Sequence, residues 1–286
     1  MEQTEKNKVE KSTLYLVGTP IGNLADMSER AKKVLSEVDF IAAEDTRNSL
    51  KLLGCYGIHA ELVSYHEHNR RESGEKIVAR LLMGESCAII TDAGMPAISD
   101  PGEDLVRLCS ESGIAVRVVP GPSACVSALA LSGLPTQRFA FEGFLPAVKG
   151  ERKKRLENVK NDDRTMIFYE APHKLRATLS DMAEIFGVDR KMSLCRELTK
   201  LNEETIRMTL GESVKYYEER EPRGEYVLVL EGGDGSEVGE NPLLSLSPED
   251  HVAHYEKSGM KRMDAIKAAA KDRGLSKSEL YKMLVE

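Results

Sequence analysis

The stretch Thr91-Asp-Ala-Gly-Met-Pro-Ala-Ile-Ser-Asp-Pro-Gly102 decides the fold of this chain. A short apolar run, Cys87-Ala-Ile-Ile90, precedes it, and apolar residues at helical spacing follow from Leu105. The pattern predicts a buried strand, a glycine-containing loop and a helix, with Asp100 as the helix cap and Pro101 in the first turn. Open α/β sheets bind ligands at such loops. The loop lacks both the G-x-G-x-x-G and the G-K-[ST] patterns, so a phosphate site is not predicted.

Composition and charge narrow the class of protein. The 286 residues suffice for two ordinary domains, and 41% of them are hydrophobic. No apolar run approaches the roughly 18 residues of a membrane helix, and the polar N-terminus lacks the apolar core of a signal peptide. The five cysteines are scattered without C-x-x-C pairs and indicate neither disulfides nor zinc. We therefore expect a cytoplasmic protein without a membrane segment or a metal.

Strands alternating with helices of about 10–15 residues predict an α/β fold with a mainly parallel sheet. Capping patterns are expected at Asp26 with Glu29, at Asn69 with Glu72, and at Ser276 with Glu279. The expected strands are Thr13–Val17, Phe40–Ala43, Leu62–Tyr65, Cys87–Ile90, Val116–Val119, Thr165–Tyr169, Met192–Cys195, Thr205–Leu210 and Tyr226–Leu230. The expected organisation is a disordered lead-in at 1–12, α/β lobes at 13–134 and 135–232, a linker at 233–246 and a helical module at 247–286.

Three strand ends of the first lobe carry loops rich in glycine, proline and small polar residues. They are GTPIGN at 18–23, TDAGMPAISDPG at 91–102 and PGPSA at 120–124. Each loop alone is compatible with an ordinary turn between a strand and a helix. Three of them at one sheet edge favour a ligand site, because glycine lets a ligand approach the backbone closely. Asp92 stands directly at a strand end, where it can accept hydrogen bonds from a ligand or close a local turn.

Seven segments in the same order along the chain resemble the ribosomal RNA small-subunit methyltransferase I family. This family is a branch of the tetrapyrrole-methylase-like, class III S-adenosylmethionine methyltransferases. The resemblance covers 13–232, and the C-terminal module is also similar to the tail of the family. The segments are LYLVGTPIGNLADMSERAKKVL, AAEDTRNSLKLLGCYGI, TDAGMPAISDPGEDLV, VPGPSA, FEGFLP, FYEAPHKL and RELTK.

The resemblance implies two α/β lobes with mainly parallel or mixed sheets flanked by helices, and S-adenosylmethionine between the lobes. It also implies a homodimer that methylates a ribose 2′-hydroxyl of a cytidine in the decoding region of small-subunit (16S) ribosomal RNA. A sulfonium ligand favours a mostly apolar slot, and in-line methyl transfer demands alignment rather than a metal. The cofactor contacts that the resemblance implies are Pro20, Asp92, Ala93, Gly94, Ile98, Ser123, Ala124, Phe168, Tyr169, Gly224, Glu225 and Tyr226.

A ribose hydroxyl is a poor nucleophile at neutral pH, so a general base or a stabilising cation is expected nearby. We favour the cluster Glu44-Asp-Thr-Arg47 and predict that Asp45 and Arg47 orient or activate the hydroxyl. A structural ion pair is the alternative interpretation of these two residues. The further candidates are His66, Asp100, Glu170 and His173.

Positive charge is concentrated in two segments, although the whole chain carries −7. Lys149–Arg155 has a net charge of +4 and Lys257–Lys282 of +5, so the remainder carries −16. Such patches favour contact with RNA phosphates, although solvated helix faces are the alternative. The segments favour an RNA substrate over a small tetrapyrrole, and the intact loops disfavour a non-catalytic ribosome-associated binding protein. The predicted RNA contacts are Lys149, Arg152, Lys153, Lys154 and Arg155.

Overall fold

Two five-stranded sheets dominate the computed structural model, which describes residues 8–100, 102–233, 243 and 246–284. Both sheets belong to one compact unit, within Met1–Glu157 and Arg164–Glu231. A second unit lies within Asn158–Asp163 and Gly232–Glu286. The α/β fold with a parallel and a mixed sheet confirms the predicted fold class.

The first sheet is parallel throughout, in the order β3-β2-β4-β1-β5. The adjacent strands β2 and β4 connect toward opposite edges of this sheet, since β2 is followed by β3 at one edge and β4 by β5 at the other. This is a topological switch point, where open α/β sheets form ligand crevices. The strands are β1 Thr13–Val17, β2 Phe40–Ala43, β3 Glu61–Ser64, β4 Cys87–Ile90 and β5 Ala115–Val119. The helices are α1 Glu29–Glu37, α2 Thr46–Cys55, α3 Arg70–Leu82, α4 Gly102–Glu111 and α5 Ala124–Ser132.

Helices cover both faces of this sheet. One buried cluster joins the sheet to α1 and α2, and the other joins it to α3 and α4. All four residues of β2 and of β4 are therefore buried. Two covered faces explain why these strands are continuous apolar runs without alternation.

The second sheet is mixed, in the order β6-β7-β10-β8-β9. β6 is parallel to β7, whereas β10 is antiparallel to both β7 and β8. Residues of α5 pack on the buried residues of this sheet, so that helix connects the two lobes. The strands are β6 Phe139–Phe144, β7 Thr165–Glu170, β8 Lys191–Arg196, β9 Glu204–Thr209 and β10 Tyr226–Leu230. The helices are α6 Lys149–Val159, α7 Pro172–Phe186 and α8 Leu210–Glu218.

The second unit contains three short helices around its own apolar cluster. They are α9 Pro248–Lys257, α10 Arg262–Asp272 and α11 Lys277–Met283. Val252, Ile266 and Leu280 are buried together, one from each helix. None of the helices in the described residues is long and apolar enough to cross a membrane.

The elements that the sequence patterns missed include the strand β6 and the helix α8. Gly143 takes a positive φ of 66° next to a bulge in β6, which interrupts the alternation expected of a strand. Thr209 is at once the last residue of β9 and the N-cap of α8, in a capping box with Glu212. Because no turn separates β9 from α8, the sequence shows no boundary there.

The predicted caps have different outcomes. The capping box of Ser276 and Glu279 is confirmed. The box of Asp26 and Glu29 was wrong, because the Ser28 hydroxyl caps α1 by accepting from the backbone N–H of Ala31. Asn69 stands at the N-cap of α3, but its amide oxygen accepts from the backbone N–H of His66 instead.

The basic segment at 149–155 lies within the helix α6, and the prediction that Arg152 contacts RNA was wrong. Arg152 is only 5% exposed. Its guanidinium lies 2.8 Å (Nε) and 2.7 Å (Nη2) from one carboxylate oxygen of the buried Asp181. It also donates to the carbonyl oxygen of Ala147 at 3.1 Å. This cation therefore joins α6 to α7 and faces the interior.

The next two basic residues also have acidic partners within the fold. Lys153 lies 2.5 Å from a carboxylate oxygen of Glu184, and Arg155 lies 2.6 Å from Glu142. Their predicted contact with RNA would have to compete with these ion pairs. Lys154 is exposed and forms no ion pair with the described residues.

We expect Arg152→Met to destabilise the protein by about 3–5 kcal/mol, because it leaves the Asp181 carboxylate buried without its cation. Urea unfolding followed by circular dichroism measures the free energy of unfolding. Lys154→Met is the matched control on the same helix, since it removes the same charge from an exposed position. It should change the free energy of unfolding by less than about 0.5 kcal/mol. Equal losses in the two variants would contradict a buried ion pair.

Candidate active site

The loops that follow β1 and β4 are joined by their backbones. The N–H of Thr19 donates to the carbonyl oxygen of Gly94 at 2.9 Å, and the N–H of Gly94 returns the bond at 3.2 Å. The Thr19 hydroxyl also donates to the carbonyl oxygen of Thr91 at 3.1 Å. Gly94 has a φ of 92°, a conformation that favours glycine. The two loops therefore form one connected wall.

A contact between two glycines adds the loop that follows β5. A Cβ atom placed on Gly121 would lie only 2.8 Å from the Cα atom of Gly18. A Cβ atom placed on Gly18 would likewise lie only 2.7 Å from the Cα atom of Gly121. The backbone N–H of Gly121 also lies 3.3 Å from the sulfur of Met95, which belongs to the central loop. All three glycine loops thus meet at the carboxyl end of the first sheet.

A cavity of about 440 Å³ opens beside these loops and reaches the second sheet. Both lobes contribute to its walls, which combine apolar side chains with a few polar groups. The lining residues are Ile21, Glu44, Thr91, Ala93, Gly94, Met95, Ile98, Ser99, Asp100, Ser123, Ala124, Phe144, Tyr169, Glu170, Ala171, Pro172, Cys195, Leu198, Lys200, Glu225, Tyr226 and Val227.

The structure brings eight of the twelve predicted cofactor contacts to this cavity. Five come from the first lobe and three from the second. They are Ala93, Gly94, Ile98, Ser123, Ala124, Tyr169, Glu225 and Tyr226.

The other four predicted contacts lie outside the cavity lining. Pro20 is buried, and the next residue, Ile21, lines the cavity in its place. Asp92 accepts a hydrogen bond from the side-chain amide of Asn48 at 2.9 Å. Phe168 is 0% exposed and belongs to the core, because successive side chains of β7 point to opposite faces and Tyr169 takes the cavity side.

Gly224 is the fourth of these residues. Its φ is 80°, and a Cβ atom there would lie 2.5 Å from the side chain of Glu197. Its conformation and close packing give this glycine a structural role in the bend before β10.

Aromatic rings form part of the second-lobe wall. The ring of Tyr169 packs edge-to-face against Phe141 at 4.9 Å and against Phe144 at 5.5 Å between centroids. Burial raises the pKa of the Tyr169 phenol to about 12. The Tyr169 hydroxyl therefore stays protonated at neutral pH, so this aromatic part of the wall carries no charge.

Asp100 combines a structural bond with a free oxygen. Its Oδ1 accepts from the backbone N–H groups of Ala97 at 2.9 Å and Gly102 at 2.7 Å, which agrees with the predicted cap of α4. Its Oδ2 is buried and has no hydrogen-bond partner among the described residues. A buried acceptor left without a donor costs about 1–3 kcal/mol. Since Asp100 lines the cavity, a ligand donor can satisfy this oxygen. The predicted position of Pro101 lies outside the described residues.

The acidic cluster after β2 divides into two environments. Glu44 lines the cavity, and its Oε2 accepts from the Thr91 hydroxyl at 3.1 Å. Asp45 is the N-cap of α2 and accepts from the backbone N–H of Arg47 at 2.8 Å. Its other oxygen lies 2.8 Å from the Arg47 guanidinium. Neither Asp45 nor Arg47 lines the cavity, so the geometry supports the ion-pair interpretation of these two residues.

Two charged residues of the second lobe complete the cavity wall. Glu170 is buried and accepts from the Thr178 hydroxyl at 2.5 Å and from the backbone N–H of Ala171 at 2.9 Å. Lys200 lies 2.9 Å from Glu197 and 2.7 Å from Glu225. Of these, the sequence analysis had considered Glu170 but not Lys200.

The two histidine candidates lie outside the cavity lining. They are His66 and His173. Among the described residues, no group of three or more histidine, cysteine, aspartate or glutamate side chains is placed to hold a metal ion.

Comparisons with known proteins agree with this geometry. The sequence profile of the Tetrapyrrole (Corrin/Porphyrin) Methylases matches residues 13–214. A protein of Halalkalibacterium halodurans named "Ribosomal RNA small subunit methyltransferase I" is 49% identical over 98% of this chain and 97% of its own length. The protein of the same name from Bacillus subtilis is 48% identical over 96% of this chain and 94% of its own length.

Solved structures share the fold at low sequence identity. Diphthine synthase aligns with a TM-score of 0.59 and 14% identity, over 77% of this chain and 90% of its own. Uroporphyrin-III C-methyltransferase from Thermus thermophilus, complexed with S-adenosylhomocysteine, aligns with a TM-score of 0.53 and 19% identity. That alignment covers 79% of this chain and 99% of the other.

The fold and the cleft between its sheets are those of a class III methyltransferase, whose cofactor is S-adenosylmethionine. Within that class, the chain belongs to the ribosomal RNA small subunit methyltransferase I family of tetrapyrrole-methylase-like proteins.

We expect Gly121→Ala to weaken the binding of S-adenosylhomocysteine at least tenfold, about 1.4 kcal/mol. The added Cβ meets the Gly18 backbone, so the loops that carry the cavity wall must move apart. Isothermal titration calorimetry measures the affinity, and thermal unfolding shows whether the variant remains folded.

Gly150→Ala is the matched control for this prediction. A Cβ atom at Gly150, within α6, meets nothing within 4 Å. This variant should bind S-adenosylhomocysteine as the unmodified protein does. Unchanged affinity in folded Gly121→Ala would contradict the role assigned to the glycine contact.

Proposed function

We propose that this protein transfers a methyl group from S-adenosylmethionine to small-subunit ribosomal RNA, at the ribose 2′-hydroxyl of a cytidine in the decoding region. The observation that supports an RNA substrate is the nearly full-length similarity, at 48–49% identity, to relatives named "Ribosomal RNA small subunit methyltransferase I". The ribose position and the cytidine rest on the family resemblance of the seven sequence segments.

The cavity fits S-adenosylmethionine in size and in lining. Its volume of about 440 Å³ lies within the roughly 300–1,000 Å³ of small-molecule sites. The glycine loops offer backbone groups at close approach, and the free Oδ2 of Asp100 can accept from an amine or a ribose hydroxyl. We assign cofactor binding to Asp100 and to the eight predicted residues that line the cavity. Bound there, S-adenosylmethionine supplies an electrophilic methyl group on its sulfonium.

We assign acceptance of the hydroxyl proton to Glu44. Its carboxylate lies at the switch point of the first sheet and is held by the Thr91 hydroxyl. Asp45 is less suited, because its hydrogen bonds with Arg47 lower its pKa to about 2. Such a carboxylate is a weak base at neutral pH. Asp45 and Arg47 are thus proposed as positioning residues that fix the start of α2 beside Glu44.

We also propose that the protein acts as a homodimer, as the family resemblance implies. β5 is an edge strand of the first sheet, and its Val118 is half-exposed. Val126 of α5 is exposed to the same degree. Apolar surface of this kind favours association with another protein surface. Sedimentation velocity of the full chain tests the assembly, and a monomer at all concentrations would contradict it.

The decisive experiment measures the modified nucleoside. Small-subunit RNA from cells with and without the protein is digested and examined by mass spectrometry for 2′-O-methylcytidine. Purified protein is tested in parallel with labelled S-adenosylmethionine on free RNA, assembled subunits and uroporphyrinogen III. Label on the ribose of one decoding-region cytidine is expected. Label on a base or only on the tetrapyrrole would overturn the proposal.

We expect Glu44→Gln to lower the single-turnover rate of methyl transfer by roughly 10²–10⁴-fold, because it removes a general base without changing side-chain shape. Asp45→Asn is the matched control, since it neutralises the adjacent carboxylate. It should retain most of the rate and lose mainly thermal stability. If Asp45→Asn instead abolished methyl transfer while Glu44→Gln retained it, the general base would be assigned to Asp45.

A further inference from the structure

The second unit, called here the helical unit because it contains α9, α10 and α11, carries six lysines whose environment differs from that of the cations of α6. All six are exposed, and within the described residues none of them forms an ion pair or a side-chain hydrogen bond. On α6, by contrast, Arg152, Lys153 and Arg155 are all paired with carboxylates. The six lysines are Lys257, Lys261, Lys267, Lys271, Lys277 and Lys282.

Several acidic residues of the same unit are engaged in internal contacts. Asp272 lies 3.2 Å from the Nε2 of the buried His251 and accepts from the Tyr255 hydroxyl at 2.5 Å. Glu279 belongs to the capping box of α11, and Glu256 lies 3.5 Å from Arg262. These contacts direct negative charge inward or to helix ends. Glu249 and Asp264 are exposed as well, but basic residues outnumber acidic ones by eight to three over Lys257–Lys282, so positive charge predominates there.

Helix geometry places these lysines at regular positions. Buried Ala265, Ile266, Ala269 and Ala270 define the inner face of α10. Lys267 and Lys271 are one turn apart, on a stripe that faces away from these buried residues. On α11, Leu280 is buried, whereas Lys277, Tyr281 and Lys282 are exposed.

A well-fixed turn connects the two helices. It comprises residues 273–276 and contains Gly274 with a φ of 66°. The Arg273 guanidinium donates to the Nδ1 of His251 at 3.1 Å, which ties the turn to α9. The lysines of α10 and α11 are thus held on a scaffold with fixed spacing.

We propose that α10 and α11 form an RNA-binding surface that contacts phosphates through Lys267, Lys271, Lys277 and Lys282. The inference rests on the proposed function, which identifies the polyanion as RNA. It assigns RNA binding, and not methyl transfer, to this unit. The half-exposed ring of Tyr281 is available to stack on an unpaired base. A helix inserted in the major groove is not expected, because that groove is deep and narrow in A-form RNA.

Charge favours RNA as the occupant of this surface. Lys257–Lys282 carries a net +5, whereas the chain outside the two basic segments carries −16. A polyanion approaching such an acidic protein is attracted only where positive charge is concentrated and unpaired. Because the cations of α6 are largely neutralised by their partners, the helical unit offers the better phosphate site.

The test is the salt dependence of binding to a decoding-region RNA fragment, measured by fluorescence anisotropy with the full chain. Substitution of all four lysines by glutamine should reduce the slope of log K against log salt by about 3, since each phosphate contact to single-stranded RNA contributes about 0.7. The dissociation constant at about 0.1 M salt should rise more than tenfold. Substitution of the same four lysines by arginine should preserve both quantities.

A second control separates local from overall charge. Lys267→Gln with Lys271→Gln is compared with Lys51→Gln and Lys215→Gln, which removes the same charge from exposed positions on α2 and α8. Only the α10 pair should lower the slope, by about 1.4. An equal effect of both pairs, or none for the four-lysine variant, would overturn the RNA-binding surface. A change in oligomer mass without a change in slope would assign the surface to a second copy of the chain and would also overturn it.

Turnover distinguishes this inference from the proposed function. The four-lysine glutamine variant should raise KM for small-subunit RNA and leave kcat at saturation unchanged. Charge-dependent RNA binding without methyl transfer by the unmodified protein would refute the proposed activity but support the surface. Methyl transfer with an unchanged salt slope in the variant would support the activity and refute the surface.

Discussion

The structure of the site depends on one close contact, in which the backbone of Gly18 approaches the backbone of Gly121. Because neither residue has a Cβ, the loops after β1 and β5 touch, and the Thr19–Gly94 hydrogen bonds add the loop after β4. Three loops from separate strands thereby become one wall with exposed backbone groups. This arrangement explains a binding site without a phosphate motif, since the recognition of a sulfonium nucleoside requires close backbone approach rather than an anion cradle.

The carboxylates of Glu44 and Asp45, although adjacent in sequence, have different contacts and therefore different proposed roles. Glu44 contacts the Thr91 hydroxyl of the central loop, whereas Asp45, one residue later, starts a helix and binds Arg47. The strong pairing that fixes Asp45 also lowers its pKa and its strength as a base. A carboxylate that is well held for structure is therefore poorly suited to receive a proton. The proposed division of labour between Glu44 and Asp45 follows from this conflict.

Sequence patterns predict those features whose cause is local. The buried strands β2 and β4 are visible as apolar runs, and the glycine loops are visible by composition. The side of a strand that meets the cavity is not local, so Phe168 could not be separated from Tyr169. The abrupt change from β9 to α8 and the bulge in β6 also leave no boundary signal. The free oxygen of Asp100 depends on packing and becomes visible only in three dimensions.

The two basic segments illustrate why charge counts alone do not locate an RNA site. Lys149–Arg155 and Lys257–Lys282 have similar net charges. In the first segment three cations pair with distant carboxylates, whereas the lysines of the second segment have no such partner among the described residues. Arg152 finds Asp181 from 29 residues away, a contact that no local pattern encodes. A buried cation needs such a carboxylate to offset the loss of water, whereas an exposed lysine does not. Unpaired exposure, rather than the number of cations, is therefore the property that marks a surface for phosphate, and α10 and α11 carry four such lysines close together in sequence.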